Sequence, residues 1–217
     1  MRSKQGFTLV EIIIVIAIIS IIAGIVLFNV GTASKKSRDG DRQADLRTLQ
    51  AAVELYKLKY GRYPAGCNGA GGWSGQSGTN YACASGNQYI VALAPEFIRA
   101  LPTDKRLSET DPANSGYVYT TNADGTVYKI MARKTAESEV VDYNHPFKSC
   151  DADSTASTVP ICNTAAPSGN KPNHCDPTHP TGRLIFETTY AVWGGFARGA
   201  DASAVEQLTE DILCDVP

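Results

Sequence analysis

The chain begins polar and basic, from Met1 to Gly6, and then turns apolar. Between Ile12 and Val30 lie 19 residues without a charge. As a helix this run measures about 28 Å, close to the hydrocarbon thickness of a bilayer. It is longer than a secretory h-region, and no small-residue cleavage site follows it, so a segment that spans and stays is expected. The pattern then becomes amphipathic. Leu46, Leu49, Val53, Tyr56 and Tyr60 step by three and four, which predicts a helix face packed on its own domain. Lys57, Lys59 and Arg62 suit the negative end of that helix, and Gly61 and Pro64 stop it. Read as one element, residues 7–60 make a helix about 80 Å long. The polar group Asp39-Gly40-Asp41 marks a weaker junction between its halves, where a shallow kink is expected.

Beyond the helix the pattern changes. Residues 64–86 hold seven glycines and place Trp73 between Cys67 and Cys83, a loop composition. Tyr89, Leu93, Phe97 and Leu101 are spaced as on a short helix over residues 88–102, interrupted at Pro95. Residues 116–121 and 126–132 are β-rich and flank Asn122-Ala123-Asp124-Gly125, a four-residue hairpin loop. Their alternation predicts one buried and one wet face. A third strand is expected within 183–193. A closing helix is expected over 204–213, where Ser203 to Glu206 has the capping-box form. Residues 142–182 carry six of the 11 Pro, three of the six Cys and all three His, with little periodicity. They read as a long stapled surface excursion. The fold class expected is α+β: a long N-terminal helix, its first half transmembrane, packed on a small antiparallel sheet, with a loop-rich C-terminal region.

Charge and chemistry narrow the function. A net charge of −2 gives no electrostatic case for nucleic acid as the ligand. The motifs HExxH, GxSxG, GxxxxGK[ST] and GxGxxG do not occur, so no enzyme is expected. Glu11 is the odd residue, a carboxylate at the edge of the apolar run. A carboxylate toward the bilayer centre costs on the order of 2–3 kcal/mol or more. It either sits at headgroup level or pairs with a cation inside an assembly of helices.

The run Lys4-Gln5-Gly6-Phe7-Thr8-Leu9-Val10-Glu11 resembles the processing site of type IV pilins and type II secretion pseudopilins. Leu46, Leu55, Tyr56, Tyr60, Gly61 and Tyr63-Pro64 resemble the segment that follows in pseudopilins, and Leu101-Pro102-Thr103-Asp104 resembles a turn of theirs. The resemblance implies a leader of residues 1–6 cut after Gly6 by a prepilin peptidase, with methylation of the new amino terminus at Phe7. It implies a transmembrane and fibre-core helix over 7–30, its soluble continuation over 31–63 and a head over 64–217. It also implies that Glu11 serves assembly, meeting the new amine of a neighbouring subunit. Ser20 and Phe28 stand where many members carry glycine and proline. Two basic residues precede the span and Lys35, Lys36 and Arg38 follow it. Orientation, with the N-terminus in the cytoplasm, therefore rests on the leader resemblance rather than on charge asymmetry.

The implied function is a structural subunit of a pilus or pseudopilus. Its partners are other copies of itself, membrane lipid before assembly and, indirectly, the inner-membrane platform and assembly ATPase. A minor tip or adhesin component of the same machinery is an alternative, and a signal-anchored extracytoplasmic enzyme or binding protein is a weaker one. An even number of cysteines outside the cytoplasm predicts disulfides. Cys67 and Cys83 flank one loop and form the favoured pair; Cys150, Cys162, Cys175 and Cys214 leave three pairings open. Cys162, His174, Cys175 and His179 offer zinc ligand types, but without a CxxC, and His174 adjoins Cys175. Asp151-Ala152-Asp153 begins like a calcium loop yet lacks the later Gly and has Cys162 at the glutamate position. No metal or cofactor is expected, with calcium the open alternative.

Overall fold

The computed structural model describes residues 6, 8–69, 72–84, 88–142, 145–149 and 187–195, and the backbone but not the side chains of 25–29. One helix, α1 (Leu9–Tyr60), dominates it. Thr8 caps its start from an extended conformation, and Gly61 ends it in the left-handed region at φ 76°, its N–H donating to the Lys57 carbonyl. The helix is continuous through Asp39, Gly40 and Asp41, the polar group between its halves. Asp39 is a buried docking point for the head. Its carboxylate is fully engaged with Arg42 and with the backbone of Glu137 and Ser138, so it does not compete with the helix for its own amides.

Four antiparallel strands pack on the second half of α1: β1 (Ser74–Gly75), β2 (Gly116–Thr121), β3 (Val127–Arg133) and β4 (Tyr190–Gly195), in that spatial order. Val118 lies opposite Met131 and Ile130 opposite Val192, which fixes a register that sends the odd residues of β2 and the even residues of β3 and β4 toward the helix. There Tyr117, Tyr119, Tyr128, Ile130, Tyr190 and Val192 meet Leu46, Leu49, Ala52 and Val53 in one core. The tyrosines bring hydroxyls into this core, and most find acceptors at its rim: Tyr117 donates to Asp45, Tyr119 to the Pro64 carbonyl and Tyr190 to Glu139. Tyr60, last of the predicted stripe, lies half exposed against Tyr56 and Phe97.

The predicted hairpin is present, with Asn122 accepting from the amides of Thr126 and Val127. Gly125 has φ 64°, and its carbonyl accepts from the Tyr63 amide just past the end of α1. A Cβ there would come within 3.0 Å of the Tyr63 carbonyl oxygen, so the turn needs glycine twice over.

Three expectations are corrected. The second sheet face is not wet: Val118, Met131 and Ala191 are buried there beneath Trp73, Tyr81 and Trp193. Alternation in the strands separates two buried faces rather than core from solvent. Residues 88–102 form successive turns, not a helix, with a cis Ala94–Pro95 peptide bond. Pro95 offers no N–H to a helical ladder, and the Gln88 side chain clasps Ala94 at both its N–H and its carbonyl. The glycine-rich loop also contributes a strand, β1, at the sheet edge.

Cys67 and Cys83 are joined, 16 residues apart, around the loop that carries β1. Closing a loop of this size stabilises a fold by about 3 kcal/mol in the chain-entropy account. Replacing both cysteines by serine should therefore lower head stability by about 2–4 kcal/mol in a denaturant titration, while leaving α1 intact by circular dichroism. An unchanged midpoint would show that the loop is held by β1 alone.

Candidate assembly surface

At the start of α1, Thr8 and Glu11 form a reciprocal capping box. Glu11 Oε2 accepts from the Thr8 N–H at 2.8 Å and from the Thr8 hydroxyl at 2.7 Å, and the Glu11 N–H donates to Thr8 Oγ1 at 3.3 Å. One carboxylate oxygen thus holds the helix start, and Oε1 is left with acceptor capacity. Gly6 lies two residues before the cap, exposed, with nothing within 4 Å of where a Cβ would stand. Phe7 lies outside the described residues.

From Leu9 to Gly24 every residue is exposed. Leu9 is 75% exposed, and Ile12, Ile13 and Ile14, which point to successive sides of the helix, are each about half exposed. A helix apolar all round is stable only when surrounded by lipid or other helices. Ser20 fits that setting, because its hydroxyl donates back to the Ile16 carbonyl at 2.7 Å and exposes no unpaired donor. Among the described residues no helix is long and apolar enough to cross a membrane; the side chains of 25–29, inside the apolar run, are not among those described.

The head takes hold of α1 at Arg38. Arg42, with a side chain only 3% exposed, is the centre of the attachment. It donates to Asp39 at 2.8 Å, to Asp104 at 2.6 Å, and to the carbonyls of Thr135 and Arg106, and it pairs with Glu137 at 2.9 Å. Burial opposes its charge, but the bonds to Asp104, Glu137 and Asp39 outweigh burial and raise its pKa above the ordinary arginine value. Asp104 is held in turn by Gln76, which accepts from the Asp104 and Tyr117 amides and donates to the Asp104 carbonyl. This cluster fixes the head against the helix just above the bare segment.

Glu137 adds a pH dependence. Its hydrogen bonds from Arg38, against a smaller opposing effect of burial, and then from Arg42, hold its pKa at about 2 instead of 4.5. A depressed carboxyl contributes stability that is complete above about pH 4.5 and is lost as pH falls toward about 2. Thermal unfolding followed across that window should show the head losing stability on acidification, with a shallower slope for Glu137→Gln. Parallel curves for the two proteins would contradict the assignment.

Of the residues singled out in the sequence, Gly6 and Glu11 lie together at the exposed end of α1, and Cys67 and Cys83 are bridged. Cys150, Cys162, Cys175 and Cys214, the zinc candidates His174 and His179, the calcium candidates Asp151 and Asp153, the helix expected over 204–213 and most of the 142–182 excursion lie outside the described residues. Among the described residues no group of three His, Cys, Asp or Glu could hold a metal ion. Sequence reasoning missed the Arg42 cluster. A signal was available: Asp39 and Arg42 continue the Leu46, Leu49, Val53 stripe backward by four and three, which places charge on the core face.

With this geometry, the comparisons with known proteins are specific. Residues 1–27 match the prokaryotic N-terminal methylation motif. The chain is 40% identical over 67 residues to type II secretion system core protein G of Klebsiella pneumoniae, covering 30% of this chain and 46% of that protein. It is 36% identical over 63 residues to core protein G of Aeromonas hydrophila, covering 29% and 44%. It is 38% identical over 63 residues to the type IV wide pilus major component PilA4 of Thermus thermophilus, covering 29% and 48%. A resemblance to pilins and pseudopilins is thereby shown. The chain spans less than half the length of these curated relatives. No solved structure matches it.

Proposed function

We propose that this protein is a structural subunit of a type IV pilus or a type II secretion pseudopilus, polymerising through α1 with the head outside. The observation that carries the reading is the bare apolar segment from Leu9 to Gly24, capped by Thr8 and Glu11 and projecting from a head that first grips the helix at Arg38. In this reading residues 1–6 are a leader removed after Gly6 by a prepilin peptidase, and Phe7 carries the new, methylated amine. Residues 7–30 anchor the subunit in the cytoplasmic membrane by a single pass, N-terminus inside, until they move into the core of an extracytoplasmic filament. Residues 31–63 continue the helix and 64–217 form the head. The platform and assembly ATPase act on it indirectly, and it performs no catalysis of its own.

Glu11 then has two successive partners. In the free subunit Thr8 satisfies it. In the filament its carboxylate meets the Phe7 amine of a neighbour inside an apolar helix bundle, where an uncompensated charge is heavily penalised. Only a stagger that brings amine to carboxylate is tolerated, so the pair sets register more than it supplies net attraction. Expressed in a bacterium that assembles such filaments, the protein should be found in sheared fibres by electron microscopy with antibodies against the head. Membrane-bound protein with no labelled fibres would count against the subunit reading.

A further inference from the structure

We infer that the head carries, on its membrane-proximal side, a seat for the headgroup of an anionic phospholipid, with Lys35 as the counterion. The inference rests on the anchoring of residues 7–30 proposed above. The apolar run ends at Val30, and the helix continues without a break to Lys35. Five residues of helix rise about 7.5 Å. The polar layer on each side of a bilayer is about 5–7 Å deep. Lys35 and its neighbour Lys36, both exposed, therefore stand at the outer limit of the headgroups, and the head begins immediately above them at Arg38.

Lys35 borders a cavity of about 450 Å³ between α1 and the head, whose walls carry the cations of Arg106 and Lys134 and the carboxylates of Glu109, Asp111 and Glu137, with the hydroxyls of Ser108 and Thr110 among them. The charges on these walls are already matched. Arg106 pairs with Glu109 at 2.6 Å, Lys134 with Asp111, and Glu137 with Arg38 and Arg42. Lys35 makes no ion pair with any described residue, nor does Lys36. An entering phosphodiester would thus meet walls without net repulsion, the one hydroxyl hydrogen that the Ser108–Thr110 hydrogen bond leaves over, and one uncompensated ammonium. A zwitterionic headgroup satisfies the ammonium less well, because it brings its own cation. The seat would hold the subunit at a fixed depth and rotation before assembly, and would be vacated when the helix leaves the bilayer.

The test reconstitutes the full chain in vesicles of equal parts phosphatidylcholine and phosphatidylglycerol. Lipid retained after gentle detergent extraction is then identified by native mass spectrometry. The wild type should retain phosphatidylglycerol in preference, and Lys35→Gln should reduce that preference about fivefold, whereas Lys36→Gln, at a residue that does not border the cavity, should reduce it less. Lys59→Gln, at the far end of α1, should leave it unchanged, and inorganic phosphate should not displace the lipid. Equal retention of both lipids by an inserted wild type, or a preference that survives Lys35→Gln, overturns the seat and leaves the subunit reading intact. Displacement by inorganic phosphate means a site for free anions rather than lipid and also overturns it. A chain that does not insert into the vesicles at all removes both the seat and the anchoring on which it rests.

Discussion

Glu11→Ala and Glu11→Gln should each leave the subunit in the membrane and nearly abolish filaments. The two substitutions remove different things. Alanine removes both the helix cap and the charge, whereas glutamine keeps a capping-box acceptor for Thr8 and removes only the charge. Leaving a buried amine without its carboxylate costs about 3–5 kcal/mol. Each 1.4 kcal/mol is tenfold, so subunit addition should weaken by roughly a hundredfold to a thousandfold or more. Thr8→Ala is the counterpart. It takes away the cap, worth about 1 kcal/mol, and keeps the charge, so it should reduce filament yield only mildly. Shearing followed by quantification against membrane-bound subunit reads all three. If Glu11→Gln assembles like the wild type while Thr8→Ala does not, the box and not the charge governs assembly, and the register argument is wrong.

The second large effect is expected at Arg42. Arg42→Met preserves much of the side chain's bulk but strands Asp39, 2% exposed, and Asp104 in a site built for a cation. Breaking a buried pair from one side costs about 3–5 kcal/mol, a large share of the stability of any domain of this size. The head should unfold at much lower temperature by near-ultraviolet circular dichroism of the detergent-solubilised protein, while far-ultraviolet signal from the bare segment of α1 persists. Arg42→Lys should recover only part of the loss, because an ammonium cannot reach three carboxylates and two carbonyls in the planar fork that guanidinium provides. A change under 1 kcal/mol for Arg42→Met would mean that the head is held by the Leu46, Leu49 and Val53 contacts alone.

What could be read from the sequence was whatever is encoded locally. Leu46, Leu49 and Val53 announce their face by spacing, Asn122 to Gly125 announces a turn by chemistry, and Gly6, Phe7 and Glu11 stand within six residues of one another. The same locality explains what was misread. Arg42 meets Asp104 across 62 residues of sequence, and Arg38 meets Glu137 across 99, separations over which no periodicity operates. Tyr89, Leu93, Phe97 and Leu101 do keep helical spacing, and Tyr89 and Leu93 are buried, but they reach the core from consecutive turns around Pro95. Strand alternation was legible as a period and misleading as a burial pattern, because nothing in β2 or β3 states that Trp73, Tyr81 and Trp193 will cover the far face.

The most direct measurement is the mass of the N-terminal peptide of this protein recovered from sheared filaments of its host. The expected peptide begins at Phe7 and carries one added methyl group on its amine. A filament-derived peptide that still contains Met1 to Gly6, or the protein's confinement to the membrane fraction with that leader intact, would contradict processing and assembly together.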